Sequence, residues 1–287
     1  MEKAKAEMRV LAAVIPNPKA RLLDQVREVI RVKHYSLRTE ETYLQWMKRF
    51  IFFHGKRHPR EMGAREIEAF LTDLAVRRRV ASSTQNQALN ALVFLYQEVL
   101  HLEVGEFSAV RAKRPSRLPT VLTQEEVRRL LTAVKPGTLS LMARLLYGTG
   151  MRLMECVRLR VKDVLLDQNQ IVIRDGKGFK DRVTMLPASL KEELERHWER
   201  VRQLHERDLR AGYGAVYLPY ALAQKYPQAP REWAWQYVFP AAHLSEDPRS
   251  GQRRRHHANE TSLQRAVKEA RPVSRPDHTR VVPHVAP

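Results

Sequence analysis

At 287 residues, the chain is long enough for about two domains with a sizeable core. Its 51 Lys and Arg residues outnumber 32 Asp and Glu residues, which gives a net charge of +19 and a pI near 10.4. That excess indicates a polyanionic partner, most often nucleic acid. No run approaches the ~18 apolar residues of a membrane-spanning helix, and the apolar patch at 10–15 is shorter than a usual signal-peptide core. We therefore expect a cytoplasmic protein with no membrane partner.

A single cysteine, Cys156, excludes an intrachain disulfide and a thiolate zinc cluster. Its apolar neighbours predict a small core residue rather than a nucleophile. The 11 histidines show no His-Glu-x-x-His spacing of the kind that binds a metal. We expect no metal in this protein.

Residues 1–20 lack periodicity and are predicted to be a loose lead. Four amphipathic helices are predicted over 21–104, which makes a compact all-α domain. The first carries Leu22, Val26 and Ile30, and Thr39 is expected to cap the second. The third helix is predicted over 64–78, and the fourth begins near Ser82.

Basic residues cluster at the joints between these helices, at 33–38, 56–60 and 77–79. One such cluster is typical of a solvated face. Three clusters beside caps that could also bind phosphate favour a surface that follows a duplex backbone, with Arg38, Arg78 and Arg79 as candidates. The following segment, 105–119, combines prolines with basic residues and is predicted to be an extended linker near phosphates. Its candidate contacts are Lys113, Arg114 and Arg117.

The second domain, over 120–270, opens with a capping box at Thr123 and then turns sharply at Gly148-Thr149-Gly150. A Cβ at either glycine would hinder that turn. Arg152 is predicted in the first turn of the next helix, where unpaired N–H groups favour an anion and a guanidinium can clamp phosphate. Glu155, three residues on, is expected to hold the arginine. The competing interpretation is a helical corner with a solvated arginine.

A β-hairpin is predicted from period-two segments at 170–174 and 182–186. Lys177 lies between two glycines at its tip. It is either a solubilising turn residue or, with Arg152 in the same domain, a functional one; an ammonium whose pKa is lowered near a cationic cluster suits proton transfer. The fold class is therefore mainly α with a small β-hairpin, a four-helix domain followed by an α+β domain.

Material at about 205–260 has the character of an insertion. Trp233, Trp235, Tyr237 and Phe239 alternate with other residues, which predicts a strand with one aromatic face. Such a face either packs inward or forms a platform on which unpaired bases stack. A cationic run, 253–257, follows.

The segment Tyr147-Gly-Thr-Gly-Met-Arg-Leu-Met-Glu-Cys-Val-Arg-Leu159 resembles the first arginine box of the tyrosine recombinases, the phage-integrase family, and within it most resembles the integron integrases. The resemblance implies an N-terminal core-binding domain that clasps DNA and an incomplete catalytic domain. It also implies that Arg152 stabilises the scissile phosphate, that Glu155 supports it, and that Lys177 protonates the leaving 5′ oxygen. No cofactor is implied, because a phosphotyrosine stores the bond energy, and relatives act as tetramers on DNA.

The insertion is similar to the one that marks the integron integrases, through Trp-x-Trp-x-x-Val-Phe, Asp-Pro-Arg-Ser-Gly and Arg-Arg-His-His-x-x-Glu. Those enzymes recombine gene cassettes at attC and attI sites and receive bulged bases of folded single-stranded attC hairpins. By position, the implied contacts are Trp235, Pro248, His256 and His257. Duplex DNA and folded hairpins are both expected partners.

The tail at 271–287 has four prolines in 17 residues and is predicted to depart from the family. It contains no His-x-x-Arg box and no tyrosine, and His278 and Arg280 are only two apart. We expect a truncated or frameshifted reading frame whose product binds DNA but does not cleave it. The alternatives are a non-enzymatic dominant-negative partner at recombination sites, or an active recombinase of a non-integron branch that takes its nucleophile from elsewhere.

Overall fold

The computed structural model describes residues 16–103, 121–174, 181–218 and 220–270. The chain divides into two compact units, Met1–Leu118 and Pro119–Pro287. In the part of the chain that is described, no helix is long and apolar enough to cross a membrane. The linker candidates Lys113, Arg114 and Arg117, the hairpin tip with Lys177, and the tail from 271 onward lie outside the described residues.

The N-terminal unit contains the four helices that the sequence predicts. They are α1 (Leu22–Val32), α2 (Leu37–Phe53), α3 (Ala64–Thr72) and α4 (Ser82–Phe94). A π-helical turn extends α3 over Asp73–Arg77, and another extends α4 over Leu95–Val99. The predicted cap of α2 is wrong: Ser36 caps the helix, and its hydroxyl accepts a hydrogen bond from the Thr39 amide at 3.1 Å.

The core of this unit is built from the apolar stripes of all four helices. Met47 and Phe50 of α2 are fully buried, and Phe50 packs edge-on against Phe70 and Tyr96. The buried Tyr96 hydroxyl donates to the Pro59 carbonyl at 3.0 Å, which ties α4 to the turn before α3. Trp46 and Phe50 of α2 are therefore core residues, whereas Phe52 of the same helix is exposed.

In this unit, basic residues whose backbone is in the left-handed region follow the C-terminal ends of the helices. His34, Lys56, Arg79 and His101 have φ values of 56°, 64°, 47° and 52°. A helix C-terminus carries partial negative charge, which attracts cations and disfavours phosphate. His34, Lys56 and Arg79 of the predicted basic clusters thus lie at helix C-terminal ends, and the prediction that the clusters at 33–38, 56–60 and 77–79 follow a duplex backbone stays a prediction.

The C-terminal unit is helical with two small sheets. Its elements are α5 (Gln124–Ala133), α6 (Thr138–Thr149), α7 (Leu153–Val157), β1 (Val164–Leu165), β2 (Gln170–Ile173), β3 (Arg182–Met185), α8 (Ala188–Arg210), α9 (Tyr220–Lys225), β4 (Ser245–Glu246), β5 (Arg253–Arg254) and α10 (Glu260–Glu269). The predicted capping box is present: Thr123 and Glu126 exchange hydrogen bonds of 2.7 and 3.2 Å. The predicted hairpin is confirmed, since β2 and β3 pair antiparallel with Ile173 opposite Arg182.

The core of this unit lies between α6, α8 and the β1–β2–β3 sheet. Leu141 and Leu145 of α6, Ile171 of β2 and Leu194 of α8 are buried there. Cys156 is fully buried in the same cluster, and burial raises the pKa of its thiol to about 12. It is a core residue, as its apolar neighbours predict, and not a nucleophile.

The predicted aromatic strand over 233–239 is wrong. A 3₁₀ turn occupies Trp233–Trp235, and the chain beyond it forms a single bridge between Arg160 and Tyr237. The rings diverge: Trp233 packs against Trp198 of α8, and Phe239 lies 5.2 Å from the His197 ring. Two backbone hydrogen bonds of the tight turn, from the Trp235 amide to the Glu232 carbonyl and from the Gln236 amide to the Trp233 carbonyl, replace a strand ladder here, so the alternating aromatics do not share one face.

Candidate functional site

The corner between α6 and α7 requires both of its glycines. A Cβ on Gly148 would lie 2.5 Å from Cγ of Pro187. Gly150 ends α6 in the left-handed region, with φ 63°. The Thr184 hydroxyl of β3 donates to the Thr149 carbonyl at 2.9 Å, which holds the hairpin against the corner. Gly148 is thus required by the close approach of Pro187, and Gly150 by its left-handed backbone. Together the two glycines form the corner that places Arg152 beside β3.

Arg152 precedes α7 as its N-cap rather than lying in its first turn, and α7 is only five residues long. So short a helix has little dipole to attract an anion, and charge at this place comes from side chains. Nη1 of Arg152 donates to Oε1 of Glu155 at 2.7 Å, and the Arg152 amide donates to Oε2 at 2.8 Å. The expected contact between the two residues is present.

A second guanidinium, which the sequence analysis did not single out, completes this cluster. Arg182 of β3 donates to Oε1 and Oε2 of Glu155 at 3.0 and 2.7 Å. The Glu155 side chain is only 9% exposed, whereas Arg152 is 56% and Arg182 36% exposed. Two arginines on one carboxylate leave a net positive charge whose exposed part is mainly Arg152. We call Arg152, Glu155 and Arg182 the arginine cluster.

The carboxylate of Glu155 is ionised at any ordinary pH. Hydrogen bonds from Arg182, with those from Arg152, lower the pKa of Glu155 to about 2 despite its burial. An ionised Glu155 fixes both guanidinium planes without cancelling both charges. The cluster can therefore bind an anion at its exposed side.

Lys177 lies outside the described residues, but the two ends of its loop are described. Residue 174 follows β2, and residue 181 precedes β3. Nε of Arg174 donates to Oδ1 of the buried Asp163 at 2.7 Å. Residues 174 and 181 thus lie at the end of the β2–β3 pair at which Arg182 contacts Glu155.

The candidates in the N-terminal unit occupy two places. Arg38 is exposed in the first turn of α2. Arg78 and Arg79 follow the π-helical turn after α3, and Nε of Arg78 donates to Oδ2 of the mostly buried Asp73 at 3.0 Å. Arg49, over the Trp46 ring at 4.3 Å, is close enough to Arg78 for their charges to interact. Asp73 anchors this cationic group.

Trp235 is half-buried at the end of its 3₁₀ turn, and its ring is 4.6 Å from Nζ of Lys162. Its carbonyl accepts a hydrogen bond from Arg160 at 2.7 Å. The same guanidinium donates to the Tyr217 carbonyl at 2.8 Å and to the Tyr237 hydroxyl at 3.2 Å. Arg160, which sequence reasoning did not single out, therefore fastens three points of the insertion to the chain after α7.

The other insertion candidates lie around the same group. The His257 ring packs edge-on against Tyr237 at 5.5 Å, and His256 interacts with the charge of Asp247. Burial lowers the pKa of His256 and of His257, which favours the neutral form of both rings. Pro248 is exposed in a turn that Oδ1 of Asp247 holds by accepting from the amides of residues 249 and 250 at 2.9 and 3.0 Å.

A buried ion pair joins the insertion to α8. Arg255 donates to Oδ1 of Asp208 at 2.8 Å and to the Ala241 and Ala242 carbonyls at 2.8 and 2.9 Å, and both charged side chains are at most 12% exposed. This part of the predicted cationic run is thus structural. The run alone did not reveal it, because the partner Asp208 lies 47 positions away.

Comparison with known proteins agrees with this architecture. Residues 22–106 match the profile of the phage integrase N-terminal SAM-like domain, and residues 120–285 match that of the phage integrase family. A helical SAM-like unit followed by a unit that carries the arginine cluster is the domain order that these two matches give. The chain belongs to the phage integrase family, the tyrosine recombinases, since the second match alone covers more than half of it.

Relatives agree with that membership. An integrase/recombinase of Escherichia coli is 47% identical over 265 residues, which cover 92% of this chain and 78% of that protein. An integrase/recombinase of Pseudomonas aeruginosa gives the same values. The tyrosine recombinase XerA of Thermococcus kodakarensis is 31% identical over 183 residues, 62% of this chain and 61% of that one.

Two solved structures share the fold. A lambda integrase dimer bound to a COC′ core site has a TM-score of 0.53 at 16% identity and covers 87% of this chain and 76% of its own. A lambda integrase tetramer bound to a Holliday junction has a TM-score of 0.52 at 14% identity. The match covers 89% of this chain and 64% of that one. At these identities the likeness shows the fold alone.

Proposed function

We propose that this chain binds DNA recombination sites and grips a backbone phosphate with the arginine cluster. The observation that carries the proposal is the shared carboxylate of Glu155, which orients Arg152 and Arg182 while more than half of the Arg152 side chain stays exposed. A planar guanidinium held in one orientation matches two phosphate oxygens at low entropic cost. In this proposal Lys177 is the residue that would protonate the leaving oxygen wherever a strand is cleaved. Other protomers of the recombinase, four on one DNA junction, are the expected protein partners.

Within the family, we propose the integron integrase type, which recombines gene cassettes at attC- and attI-like sites. The support is the insertion: Arg160 and the Arg255–Asp208 pair fix a half-buried Trp235, an exposed Pro248, His256 and His257. An indole can stack on an unpaired base, and a neutral imidazole can donate to and accept from a base edge. These properties suit bulged bases of a folded hairpin better than paired ones.

We also propose that this polypeptide does not cleave DNA. His54 and Arg57, and again His197 and Arg200, have His-x-x-Arg spacing. The His197 ring is buried, and its Nε2 forms a hydrogen bond of 2.8 Å with the Val238 carbonyl. Because Arg200 is exposed, the two side chains cannot contact one phosphate. Nε2 of His54 likewise forms a hydrogen bond of 2.9 Å with the Glu66 carbonyl. The nine tyrosines all precede residue 240, and the tyrosines that follow His197 and Arg200 lie in the insertion.

Binding is tested by gel shift of a duplex core site with Arg152→Ala. The matched control is Arg128→Ala, because Arg128 also pairs with a glutamate three positions away, at 3.3 Å, but on the exposed face of α5. We expect a loss of about 10-fold or more for Arg152→Ala, as for a charge-assisted contact of roughly 1.5–3 kcal/mol, and little change for Arg128→Ala. Equal affinities of the two variants would reject the phosphate role.

Cleavage is tested separately with a nicked suicide substrate, which traps a covalent adduct if any tyrosine attacks. We expect no adduct with either a duplex or a hairpin substrate. The E. coli relative serves as the positive control. An adduct from this chain would establish an active recombinase, whereas binding without an adduct would leave a DNA-binding protein that competes for recombination sites.

A further inference from the structure

We propose that the outer side of α8 is a second binding surface for the backbone of a nucleic acid duplex, separate from the arginine cluster. We call it the basic flank, and it consists of Arg196, Arg200, Gln203, Arg207 and Arg210. These residues recur at intervals of four, three, four and three, so they lie along one side of the helix. All five are exposed.

Charge is segregated around α8. Its inner side carries Leu190, Leu194 and Val201, which are buried against the core. Glu195, Glu199 and Glu206 run along the side of the helix next to the basic flank and are exposed. A helix with cations on one flank and carboxylates on the other attracts a polyanion in one orientation only.

The central arginines of the flank have no acidic residue three or four positions away on the helix. The positions three and four away from Arg200 and Arg207 are occupied, on either side, by arginine, histidine, glutamine, leucine or alanine. Arg196 and Arg200, and Arg207 and Arg210, are like-charged neighbours that lower the stability of an isolated helix. At the N-terminal end Arg196 pairs with Glu192 at 2.6 Å. The arrangement therefore does not serve the stability of α8, and a polyanion would relieve the repulsion.

The length of the flank fits a duplex. From Arg196 to Arg210 the helix rises about 21 Å at 1.5 Å per residue, the length of about six base pairs at 3.4 Å each. Arg200, Arg207 and Arg210 line a shallow groove along α8, together with Gln203 and Glu206. Guanidinium groups spaced along such a length contact successive phosphates without reading bases.

The flank lies away from the corner that bears Arg152. The residue before α8, Pro187, packs on Gly148 at the corner, so α8 starts beside it. Arg200 and Arg207 follow about 18 and 28 Å further along the helix axis. A duplex segment on the basic flank is therefore different from the phosphate that the arginine cluster would hold.

The test counts duplexes bound per chain by mass photometry, with an excess of a duplex of about 20 base pairs, enough for one surface. The variant is Arg200→Gln/Arg207→Gln. The matched control is Glu195→Gln/Glu199→Gln, which changes the charge of the same helix by the same amount with the opposite sign. Far-ultraviolet circular dichroism checks that α8 stays folded in both.

We expect two duplexes on the wild-type chain, one on the basic-flank variant and two on the control. The slope of log affinity against log salt for the weaker site should fall by about 2 when two phosphate contacts are lost. Arg152→Ala should retain the flank site, so a failure of the proposed phosphate role does not remove this one. A basic-flank variant with the wild-type number of duplexes and the same salt slope would overturn the inference, as would a gain of affinity in the control equal to the loss in the variant.

Discussion

Arg182 and Glu155 form a two-pronged ion pair that joins the hairpin to the start of α7. Two nitrogens of the Arg182 guanidinium donate to the two carboxylate oxygens of Glu155 at 3.0 and 2.7 Å, and the pair is separated by 27 positions in sequence. Glu155 also accepts a hydrogen bond from the Arg152 guanidinium. The orientation of Arg152 at the start of α7 therefore depends on Arg182 of β3. The hairpin and the corner therefore act as one structural element.

Replacing Glu155 by Gln should destabilise the C-terminal unit. The substitution leaves two guanidinium groups beside a neutral amide that can accept far less from them. We expect a loss of roughly 1–2 kcal/mol, below the value for a fully buried pair, because Arg152 and Arg182 keep contact with water. The measurement is urea unfolding followed by tryptophan fluorescence, and Glu125→Gln in the exposed α5 pairs is the control, with a change under about 0.5 kcal/mol.

The same carboxylate predicts a pH dependence. The pKa of Glu155 is lowered to about 2 in the folded chain, mainly by Arg182, from about 4.3 in an unfolded one. A depressed pKa stabilises the fold fully above the unfolded value, and the contribution is lost as the pH falls toward 2. The difference in urea midpoint between wild type and Glu155→Gln should therefore be constant above pH 5 and shrink between pH 4.5 and 2. A difference that grows on acidification would contradict this assignment.

Local features of the corner were predictable from sequence, and its long-range partner was not. Glycines at 148 and 150 and the three-residue spacing of Arg152 and Glu155 are short-range patterns, and they led to the turn and to the contact. In the sequence, Arg182 appears only as the first residue of the predicted strand at 182–186. Its position beside Glu155 depends on the register of β2 and β3 and on how the sheet packs on α6, which a single sequence does not encode in any local period.

The insertion shows the opposite outcome. Alternating aromatics at 233–239 are a sound strand pattern, yet the chain forms a 3₁₀ turn there. The reason is a competitor from outside the segment: Arg160 binds the Trp235 carbonyl, and the Gln236 carbonyl accepts from the Val161 amide at 3.0 Å. Tertiary hydrogen bonds of this kind override β-propensity over a few residues.

Gly148→Ala tests the close approach at the corner. The new Cβ would lie 2.5 Å from Pro187 Cγ, and overpacking of this sort costs about 1–3 kcal/mol, against a gain of up to about 1 kcal/mol from the helix propensity of alanine. We expect a net loss of thermal stability. Adding Pro187→Ala should restore most of it. Gly63→Ala, which has nothing within 4 Å of its Cβ, is the control.

Trp235→Ala tests the integron-type proposal. Loss of a stacking platform should weaken binding to a hairpin with unpaired bases by about 1–3 kcal/mol per base, and binding to a fully paired duplex by much less. The measurement is a gel-shift titration of the same protein preparation on both DNAs, so that any loss of folded protein cancels in the ratio. Equal losses on the two DNAs would reject a role of Trp235 in receiving bulged bases.

Arg160→Lys tests how the insertion is fastened. A lysine keeps the charge but cannot reach the Trp235 carbonyl, the Tyr217 carbonyl and the Tyr237 hydroxyl together, and it loses the guanidinium that lies 3.9 Å over the Tyr237 ring. Leaving these acceptors unpaired should cost about 1–3 kcal/mol of local stability.

Because the loss is local, limited proteolysis reports it better than global unfolding. Where cleavage follows local opening, that cost corresponds to about 5- to 150-fold faster cutting within 211–235, with little change at sites in the N-terminal unit. Arg202→Lys is the control, since Arg202 lies 5.1 Å over the Trp233 ring on the exposed side of α8, and a lysine can maintain that contact. Equal cleavage of the two variants would show that Arg160 does not hold the insertion in place.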